Sequence, residues 1–285
     1  MLYYYAHTGH KIGLDRARRA MAVVKKLERA GVETGVLFND FRAGVAMKEE
    51  QGLGAYVTIE TVQDIDAIVQ TDQSVIIDSD EDDHGRLVKF VSDFRRVWRF
   101  AHDAEDRSVH GETLFKTGCE DAACLEALIV DETFSTMREK EDRTLLFLRD
   151  HDHDKLILNN PGFFKAFDME LLLGHYFFVK YEDDLAEIFG RLHEPEEYTE
   201  LIGGSATVVT GSAQTAMEAK ASGAKTIFLK IEEKPIYPVS LLESYGIEIV
   251  DGLDEKALSD ALARAKSGCE RKIPDFDAHA LMKNL

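Results

Sequence analysis

A serine and a glutamate stand at the point where the chain changes from a strand pattern to a helix pattern. The stretch "VVTGSAQTAMEAKASGAKTIFLK" (residues 208–230) has the pattern of a strand, a tight turn, a helix, a glycine and a second strand. Gly211 allows a tight turn, and Ser212 belongs to the residue types that cap helix N-termini. A helix that begins after a strand presents free amides and the positive end of its dipole, which attract phosphate.

The same stretch predicts a nucleotide site with a division of roles. The amides of Ala213, Gln214 and Thr215 are placed to meet a phosphate, and Glu218 follows about one helical turn later, where a carboxylate accepts hydrogen bonds from ribose hydroxyls. The alternative is that Ser212 is only an N-cap and Glu218 a solvated side chain. Strand, glycine, serine and helix occur together in many proteins, so this stretch alone leaves both interpretations open.

The first part of the chain contains predicted strands and a helix that could position such a site. Gly31 is predicted to close a helix over residues 14–30, in which apolar side chains recur at three- and four-residue steps. Strands and a helix in this order predict a parallel sheet covered by helices. The predicted strands are "LYYYA" (2–6), "TGVLF" (34–38), "AYVTI" (55–59), "SVIID" (74–78) and "RVWRF" (96–100).

A second alternating series follows the polar stretch "STMREKEDR" (135–143). Its predicted strands are "TLLFL" (144–148), "HYFFVK" (175–180), "ATVVT" (206–210), "KTIFLK" (225–230) and "IEIV" (247–250), with helices near 183–192, 195–202, 213–222, 238–245 and 254–266. We therefore predict an α/β, GT-B-like fold with two doubly wound Rossmann-type domains facing across a cleft. The predicted boundaries are 1–138, 139–268 and a tail, 269–285, that either packs back as a closing helix or is unattached.

Composition narrows the class of partner. The chain has 285 residues, with 34 basic and 53 acidic side chains and a formal charge of −19, which disfavours nucleic acid and anionic membranes. It has no apolar run of membrane-spanning length and no signal-peptide pattern at its start, so a soluble, cytoplasmic protein is expected. Cys119, Cys124 and Cys269 have neither an even count nor a metal-finger spacing, and we expect reduced thiols.

The order of these motifs resembles the GT-B nucleotide-sugar enzymes, in particular PseG-like UDP-sugar hydrolases of the pseudaminic-acid pathway and, more distantly, MurG-type glycosyltransferases. The stretch "VTGSAQTAMEAKASGAKTIFL" (209–229) is similar to that family's strand, serine-rich turn, helix with glutamate and following strand. "KIGLDRARRAMAVVKKL" resembles its first loop and helix, and "SVIID" resembles its strand that ends in aspartate, here Asp78. The resemblance implies a UDP-sugar hydrolase or glycosyltransferase of bacterial surface-glycan or flagellin-sugar biosynthesis, with UDP as the nucleotide and no cofactor.

The chain departs from that family in its first loop. The family pattern is Gly-x-Gly-His-x-x-Arg with a catalytic histidine, whereas "IGLDRARR" supplies Gly13, then Asp15 at the second glycine and Arg16 at the histidine. His10, in "TGHK", lies in the same loop, and a histidine suits proton transfer near neutral pH. The resemblance makes His10, Asp78 and Arg16 the catalytic candidates. The alternative for His10 is that it is a loop residue without a catalytic role.

A second departure lies after the strand "TLLFL". The family has a glycine-rich turn there, but this chain has Arg149, Asp150 and His151. Bulky side chains obstruct a close approach of backbone to a pyrophosphate, unless the Arg149 guanidinium itself binds the phosphates. Gly13 and Arg149 join the turn at 211–215 and Glu218 as predicted nucleotide-binding residues. A GT-B-like protein that has lost catalysis and keeps only binding is therefore an alternative.

Acidic and imidazole side chains also suggest a metal site. The candidate ligands are Asp78, His84, His151, Asp152 and His153, within "DSDEDDH" (78–84) and "HDHD" (151–154). Such groups hold paired metal ions in phosphoesterases. Alternating residues point in opposite directions, so only His151 with His153, or Asp152 with Asp154, can share a face. The alternative is an acidic, solvated loop.

Overall fold

The computed structural model describes residues 1–119, 124–136, 139–177, 181–232, 234–268 and 271–283. The chain forms two compact units. Unit 1 consists of Met1–Gly9, Arg16–Ile129 and Pro274–Leu285, and unit 2 of His10–Asp15 and Val130–Ile273. The short segment His10–Asp15 therefore groups with unit 2, although the residues on both sides of it belong to unit 1.

Unit 1 is built on one parallel sheet. Its strands are β1 (Leu2–Ala6), β2 (Thr34–Phe38), β3 (Val57–Thr58), β4 (Ser74–Asp78), β5 (Arg96–Phe100), β6 (Thr113–Lys116) and β7 (Cys124–Glu126). The strand order is β3-β2-β1-β4-β5-β6-β7, and every neighbouring pair is parallel. In the central pairs, Tyr4 lies opposite Val36 on one side and Ile76 on the other.

In the described part of unit 1 the α-helices are α1 (Asp15–Arg29), α2 (Phe41–Gln51), α3 (Arg86–Asp93) and α11 (Ala278–Met282). The predicted end of α1 is confirmed, because Gly31 adopts a left-handed φ of 82° and its amide donates to the Glu28 carbonyl. In the tail, α11 is preceded by Phe276, whose ring centroid lies 6.4 Å from that of Phe115 in the same unit.

Unit 2 repeats the same plan. Its strands are β8 (Glu141–Phe147), β9 (Glu170–Leu172), β10 (Leu192–His193), β11 (Ser205–Thr210), β12 (Lys225–Lys230) and β13 (Glu248–Asp251), in the parallel order β10-β9-β8-β11-β12-β13. Its helices are α4 (Leu156–Asn159), α5 (Pro161–Lys165), α6 (Glu182–Ala186), α7 (Tyr198–Gly204), α8 (Ala213–Ala221), α9 (Val239–Ser244) and α10 (Glu255–Arg264). Both units are thus Rossmann-type, which confirms the predicted α/β class.

The strand orders fix where each unit can bind a ligand. In unit 1 the chain leaves β1 toward β2 and later returns to β4 on the other side of β1, and β8 and β11 stand in the same relation in unit 2. Such a reversal leaves a crevice at the carboxyl ends of the two strands, where ligands bind in open parallel sheets. The residues that follow β1, β4, β8 and β11 are therefore the expected lining of the two crevices.

Two expectations from the sequence are wrong. The strand predicted at 175–180 is a turn over 175–177, its other residues lying outside the described part, and β9 is the strand instead. The Tyr176 amide donates to the Asp150 carbonyl and the Phe177 amide to the Gly174 carbonyl, so these amides are unavailable to a sheet. Cys119 and Cys124, expected as thiols, form a disulfide that links the segment after β6 to the first residue of β7. Cys269 lies outside the described residues.

No helix in the described ranges is long and apolar enough to cross a membrane.

Candidate functional site

The turn after β11 is shaped by a close backbone approach. The Gly211 amide donates to the Leu148 carbonyl at 2.9 Å, which joins the turn after β11 to the end of β8. A Cβ atom on Gly211 would lie 2.6 Å from that carbonyl oxygen and 2.6 Å from Ile231 Cδ1. The glycine predicted for this turn is therefore required by packing at the crevice.

Ser212 caps α8, as the sequence predicts. Its Oγ accepts from the Thr215 amide at 3.0 Å and from Thr215 Oγ1 at 2.8 Å. The same hydroxyl donates to Asp15 Oδ1 at 2.7 Å. Asp15 is the residue that stands at the second glycine of the PseG-like loop. The carboxylate of Asp15, in the segment His10–Asp15 of unit 2, thus lies at the N-terminus of α8.

Glu218 lies in a buried hydrogen-bond network. Its Oε2 accepts from the Tyr198 hydroxyl at 2.5 Å and its Oε1 from Gln214 Nε2 at 2.9 Å. Tyr198 is also 2.7 Å from Thr215 Oγ1, and the Tyr237 hydroxyl donates to Gln214 Oε1 at 2.8 Å. With Glu218 only 1% exposed, the alternative of a solvated glutamate is wrong. The network joins α7 to α8, and the ribose role of Glu218 stays a prediction.

The charged residues that follow β8 form hydrogen bonds with other parts of unit 2. Arg149 Nη1 donates to Glu232 Oε1 at 2.9 Å, while the buried Nε of Arg149 has no hydrogen-bond partner among the described residues. Asp150 Oδ2 accepts from the Leu14 amide at 2.9 Å, which ties the segment His10–Asp15 to this turn. Asp152 accepts from the amides of Leu156 and Ile157 and from the Tyr181 hydroxyl.

His151 is the one buried imidazole of this turn. Its Nδ1 is 3.1 Å from Nδ1 of His153, and its buried Nε2 has no hydrogen-bond partner within the described ranges. Gly13 has a left-handed φ of 83° and lies beside the His151 ring. A Cβ atom on Gly13 would be 4.0 Å from His151 Cδ2, which is van der Waals contact. Burial, with Arg149 nearby, lowers the pKa of His151 to about 4, so the ring is neutral at pH 7.

The lowered pKa of His151 predicts a loss of stability in acid. Below its usual pKa of 6.5 the unfolded chain binds a proton at His151, and the folded chain does so only near the lowered pKa of about 4. The free energy of unfolding therefore falls as pH drops from about 6.5 toward 4, by on the order of 3 kcal/mol from this group. Urea unfolding at pH 7 and pH 4.5 measures this loss.

The control is a comparison of two histidine variants. A His151→Gln variant should lose less stability between the two pH values than the wild-type chain, because glutamine does not titrate. A His279→Gln variant changes an exposed histidine and should keep the wild-type pH dependence. Equal pH dependence in the His151→Gln variant and the wild-type chain would contradict the prediction.

The crevice of unit 1 contains a histidine that the sequence analysis missed. His7 directly follows β1, and its Nδ1 lies 2.6 Å from Oδ1 of Asp80, which follows β4. This hydrogen bond is the main reason that the pKa of Asp80 is well below its usual range. An ionised Asp80 requires a proton on His7 Nδ1, so a neutral His7 presents the lone pair of Nε2. The signal was available, since both residues follow the two central strands.

Asp78, a predicted catalytic residue, is buried beside these groups. Arg19 donates to both of its carboxylate oxygens, at 2.8 and 2.6 Å, and Tyr4 donates to Oδ2 at 2.8 Å. Arg16 Nε is 3.5 Å from Asp78 Oδ1, and Arg16 Nη2 is 3.4 Å from Asp80 Oδ2. Arg16 therefore reaches the His7–Asp80 pair, whereas Asp78 is 1% exposed and holds α1 against β4. His10 is exposed.

The metal-ligand candidates are divided between the two units. Asp78 and His84 belong to unit 1, and His151, Asp152 and His153 belong to unit 2. Asp78 is paired with Arg19, His84 is exposed beside Asp82, and Asp152 accepts from backbone amides. These contacts give no support to the phosphoesterase alternative.

Comparison with solved structures identifies the class of the fold. The chain is similar to the UDP-GlcNAc 2-epimerase of Methanocaldococcus jannaschii in complex with UDP-GlcNAc and UDP, at 14% identity and a TM-score of 0.62 over 99% of this chain and 98% of that one. It is also similar to the S. aureus protein MnaA solved with UDP (13% identity, TM-score 0.59, 92% and 86% covered). The calicheamicin glycosyltransferase CalG4 matches at 13% identity and a TM-score of 0.54 (93% and 89% covered).

These likenesses define the fold as GT-B, with two Rossmann-type units in one chain. At the level of sequence, no protein-family model matches the chain, and the comparison with curated proteins finds no relative.

Proposed function

We propose that this protein is a nucleotide-sugar enzyme that binds a nucleoside diphosphate, with UDP the expected base, in the crevice of unit 2. The observation that carries this proposal is the joining of β8 and β11 at the crevice by the Gly211–Leu148 hydrogen bond, immediately before the capped helix α8. A helix N-terminus at this point of a parallel sheet is suited to phosphate. Two structures that share the fold contain UDP, which supports UDP as the first ligand to test.

The proposed contacts follow from the geometry of unit 2. The amides of Ala213 and Gln214 open α8 and are proposed to meet phosphate oxygens. The Thr215 amide, also predicted for phosphate, donates to Ser212 Oγ instead. Arg149 keeps a buried Nε without a partner in the described ranges, so its guanidinium has a donor to spare. Glu218 is proposed for the ribose, since each carboxylate oxygen accepts more than one hydrogen bond.

We expect UDP to stabilise the protein, because a ligand that binds only the folded state raises its free energy of unfolding. The gain is about 2.7 kcal/mol at a free ligand concentration of about 100 times Kd. Thermal unfolding with UDP, CDP, GDP and UDP-N-acetylhexosamines measures it. A Ser212→Ala variant should lose most of the UDP-dependent shift, because it loses the cap that orients the first turn of α8.

A matched variant separates loss of the site from loss of stability. Asp254 caps α10 in the same way, with its side chain accepting from the Ala257 amide at 2.8 Å. Asp254→Ala and Ser212→Ala should each cost roughly 1 kcal/mol of stability. Only Ser212→Ala should lose the UDP-dependent shift. A wild-type chain that no nucleotide stabilises would refute the proposal.

The reaction itself is proposed as hydrolysis or transfer at the glycosyl–phosphate bond, as the PseG-like resemblance implies. In unit 1, His7 with Asp80 and Arg16 is the group best arranged for proton transfer, because Asp80 holds Nδ1 and leaves Nε2 as the base. His10 is a second candidate in the neighbouring loop. Release of UDP from UDP-N-acetylglucosamine, assayed with and without His7→Gln, separates an enzyme from a binding protein without turnover.

A further inference from the structure

We propose that Asp15 is an internal competitor for the anion position at the N-terminus of α8 and sets the affinity of that site for a diphosphate. This inference rests on the proposed function, because it concerns the same crevice of unit 2. Asp15 Oδ1 lies 2.7 Å from Ser212 Oγ, so a carboxylate of the chain itself already stands where an anionic ligand is expected. A ligand phosphate must therefore displace it.

The hydrogen-bond capacity of Ser212 shows why displacement is needed. A serine hydroxyl has one proton to donate and two lone pairs that accept. Both lone pairs are engaged by Thr215, through its amide at 3.0 Å and its Oγ1 at 2.8 Å. The single proton is donated to Asp15. Ser212 therefore has no donor for a phosphate oxygen until Asp15 gives up its contact.

The charge of Asp15 acts in the same direction. A carboxylate is stabilised at the positive end of α8, as an anionic ligand would be, so the two compete for one favourable position. Two anions close together also repel each other, and this repulsion opposes diphosphate binding while Asp15 remains in place. Neutralising Asp15 should remove the repulsion and keep the cap.

A second observation comes from the turn after β8, which contacts the same segment as Asp15. Asp15 belongs to the segment His10–Asp15, in which Gly13 lies against the side chain of His151. His151 is 2% exposed, its ring edge faces Gly13 through Cδ2, and the adjacent Nε2 has no partner in the described part of the chain. A buried polar atom usually has a partner, so an unpaired Nε2 beside this segment points to a polar ligand group.

The test compares Asp15→Asn with the wild-type chain by calorimetric titration. UDP and inorganic pyrophosphate are the two probes, each titrated with EDTA and again with Mg²⁺. Asparagine keeps an oxygen that can accept from Ser212, so the variant is expected to fold, and Asp15→Ser serves as a second neutral variant. Asp72→Asn makes the same change of charge at an exposed position and is the matched control.

We expect both neutral Asp15 variants to bind UDP and pyrophosphate about tenfold more tightly than the wild-type chain, which corresponds to about 1.4 kcal/mol. The Asp72→Asn variant should bind like the wild-type chain. Unchanged or weaker binding by the Asp15 variants would overturn the inference. Weaker binding seen only with Mg²⁺ would also overturn it, because Asp15 would then be a cation ligand.

The two probes distinguish this inference from the proposed function. If pyrophosphate binds the Asp15 variants more tightly while UDP binds no form of the protein, the competitor role stands and the nucleotide function fails. If UDP binds the wild-type chain and the Asp15 variants equally, the nucleotide function stands and the competitor role fails. If neither probe binds any form, both are wrong.

Discussion

An Asp78→Ala variant is expected to lose about 3–5 kcal/mol of unfolding free energy, since removal of one partner leaves a buried charge uncompensated. Arg19 contacts both carboxylate oxygens of Asp78, and both side chains are almost fully buried. Arg19 is only 3% exposed and its guanidinium lies 3.8 Å from the centre of the Phe100 ring, so water has little access to replace the lost carboxylate. The pair fastens α1 to the end of β4.

Urea unfolding at pH 7 measures this loss, with Asp80→Ala as the matched control. Asp80 lies two residues further along, but its side chain is 56% exposed, so its removal should cost no more than about 1 kcal/mol. An Asp78→Leu, Arg19→Met double variant should recover most of the stability, because an apolar pair needs no charge compensation. A loss below about 1 kcal/mol in Asp78→Ala would contradict the structural role of the carboxylate.

The sequence predicted the central strands and failed at the short ones. β1, β2, β4 and β5 in unit 1 coincide with predicted strands, because most of their side chains are apolar and buried. β9 and β10 contain three and two residues, which is too short for any pattern to emerge. The apolar run at 175–180 predicts a strand, but its first amides are used in turns that close on Asp150 and Gly174.

In the candidate site, too, contacts between residues close in sequence were predicted and contacts between distant residues were not. Ser212 was predicted as an N-cap because capping depends on residues within one turn of helix. Its other partner, Asp15, is 197 positions away, and no local pattern indicates that contact. His7 and Asp80 are 73 positions apart and became neighbours only because β1 and β4 pair in register. The burial of Glu218 also depended on a distant residue, the tyrosine at the start of α7.

Glu218 provides the second large prediction. Glu218→Ala should cost about 3 kcal/mol or more of unfolding free energy, because the buried donors of Tyr198 and Gln214 would each lose an acceptor, at about 1–3 kcal/mol apiece. Tyr198 and Gln214 are 1% and 0% exposed, so water cannot replace the carboxylate. Glu200→Ala, on the exposed side of α7, should change stability by no more than about 0.5 kcal/mol. Urea unfolding of the two variants checks this difference.

Such a loss of stability would make Glu218→Ala a poor test of nucleotide binding, because a partly unfolded variant binds nothing. Glu218→Gln is the better variant, since glutamine has nearly the same shape and keeps one oxygen for the Tyr198 hydroxyl. The ribose role can then be tested by comparing UDP with 2′-deoxy-UDP, which lacks one of the hydroxyls that would donate a hydrogen bond to Glu218.

If Glu218 binds the ribose, the wild-type chain should bind UDP more tightly than 2′-deoxy-UDP, by roughly tenfold for one hydrogen bond to a charged group. Glu218→Gln should shrink that difference while remaining folded, because its amide is a weaker acceptor than a carboxylate. A preference for UDP that survives in Glu218→Gln would contradict the ribose role. The carboxylate would then serve only to hold α7 against α8, and the ribose contact would have to be sought among other residues of unit 2.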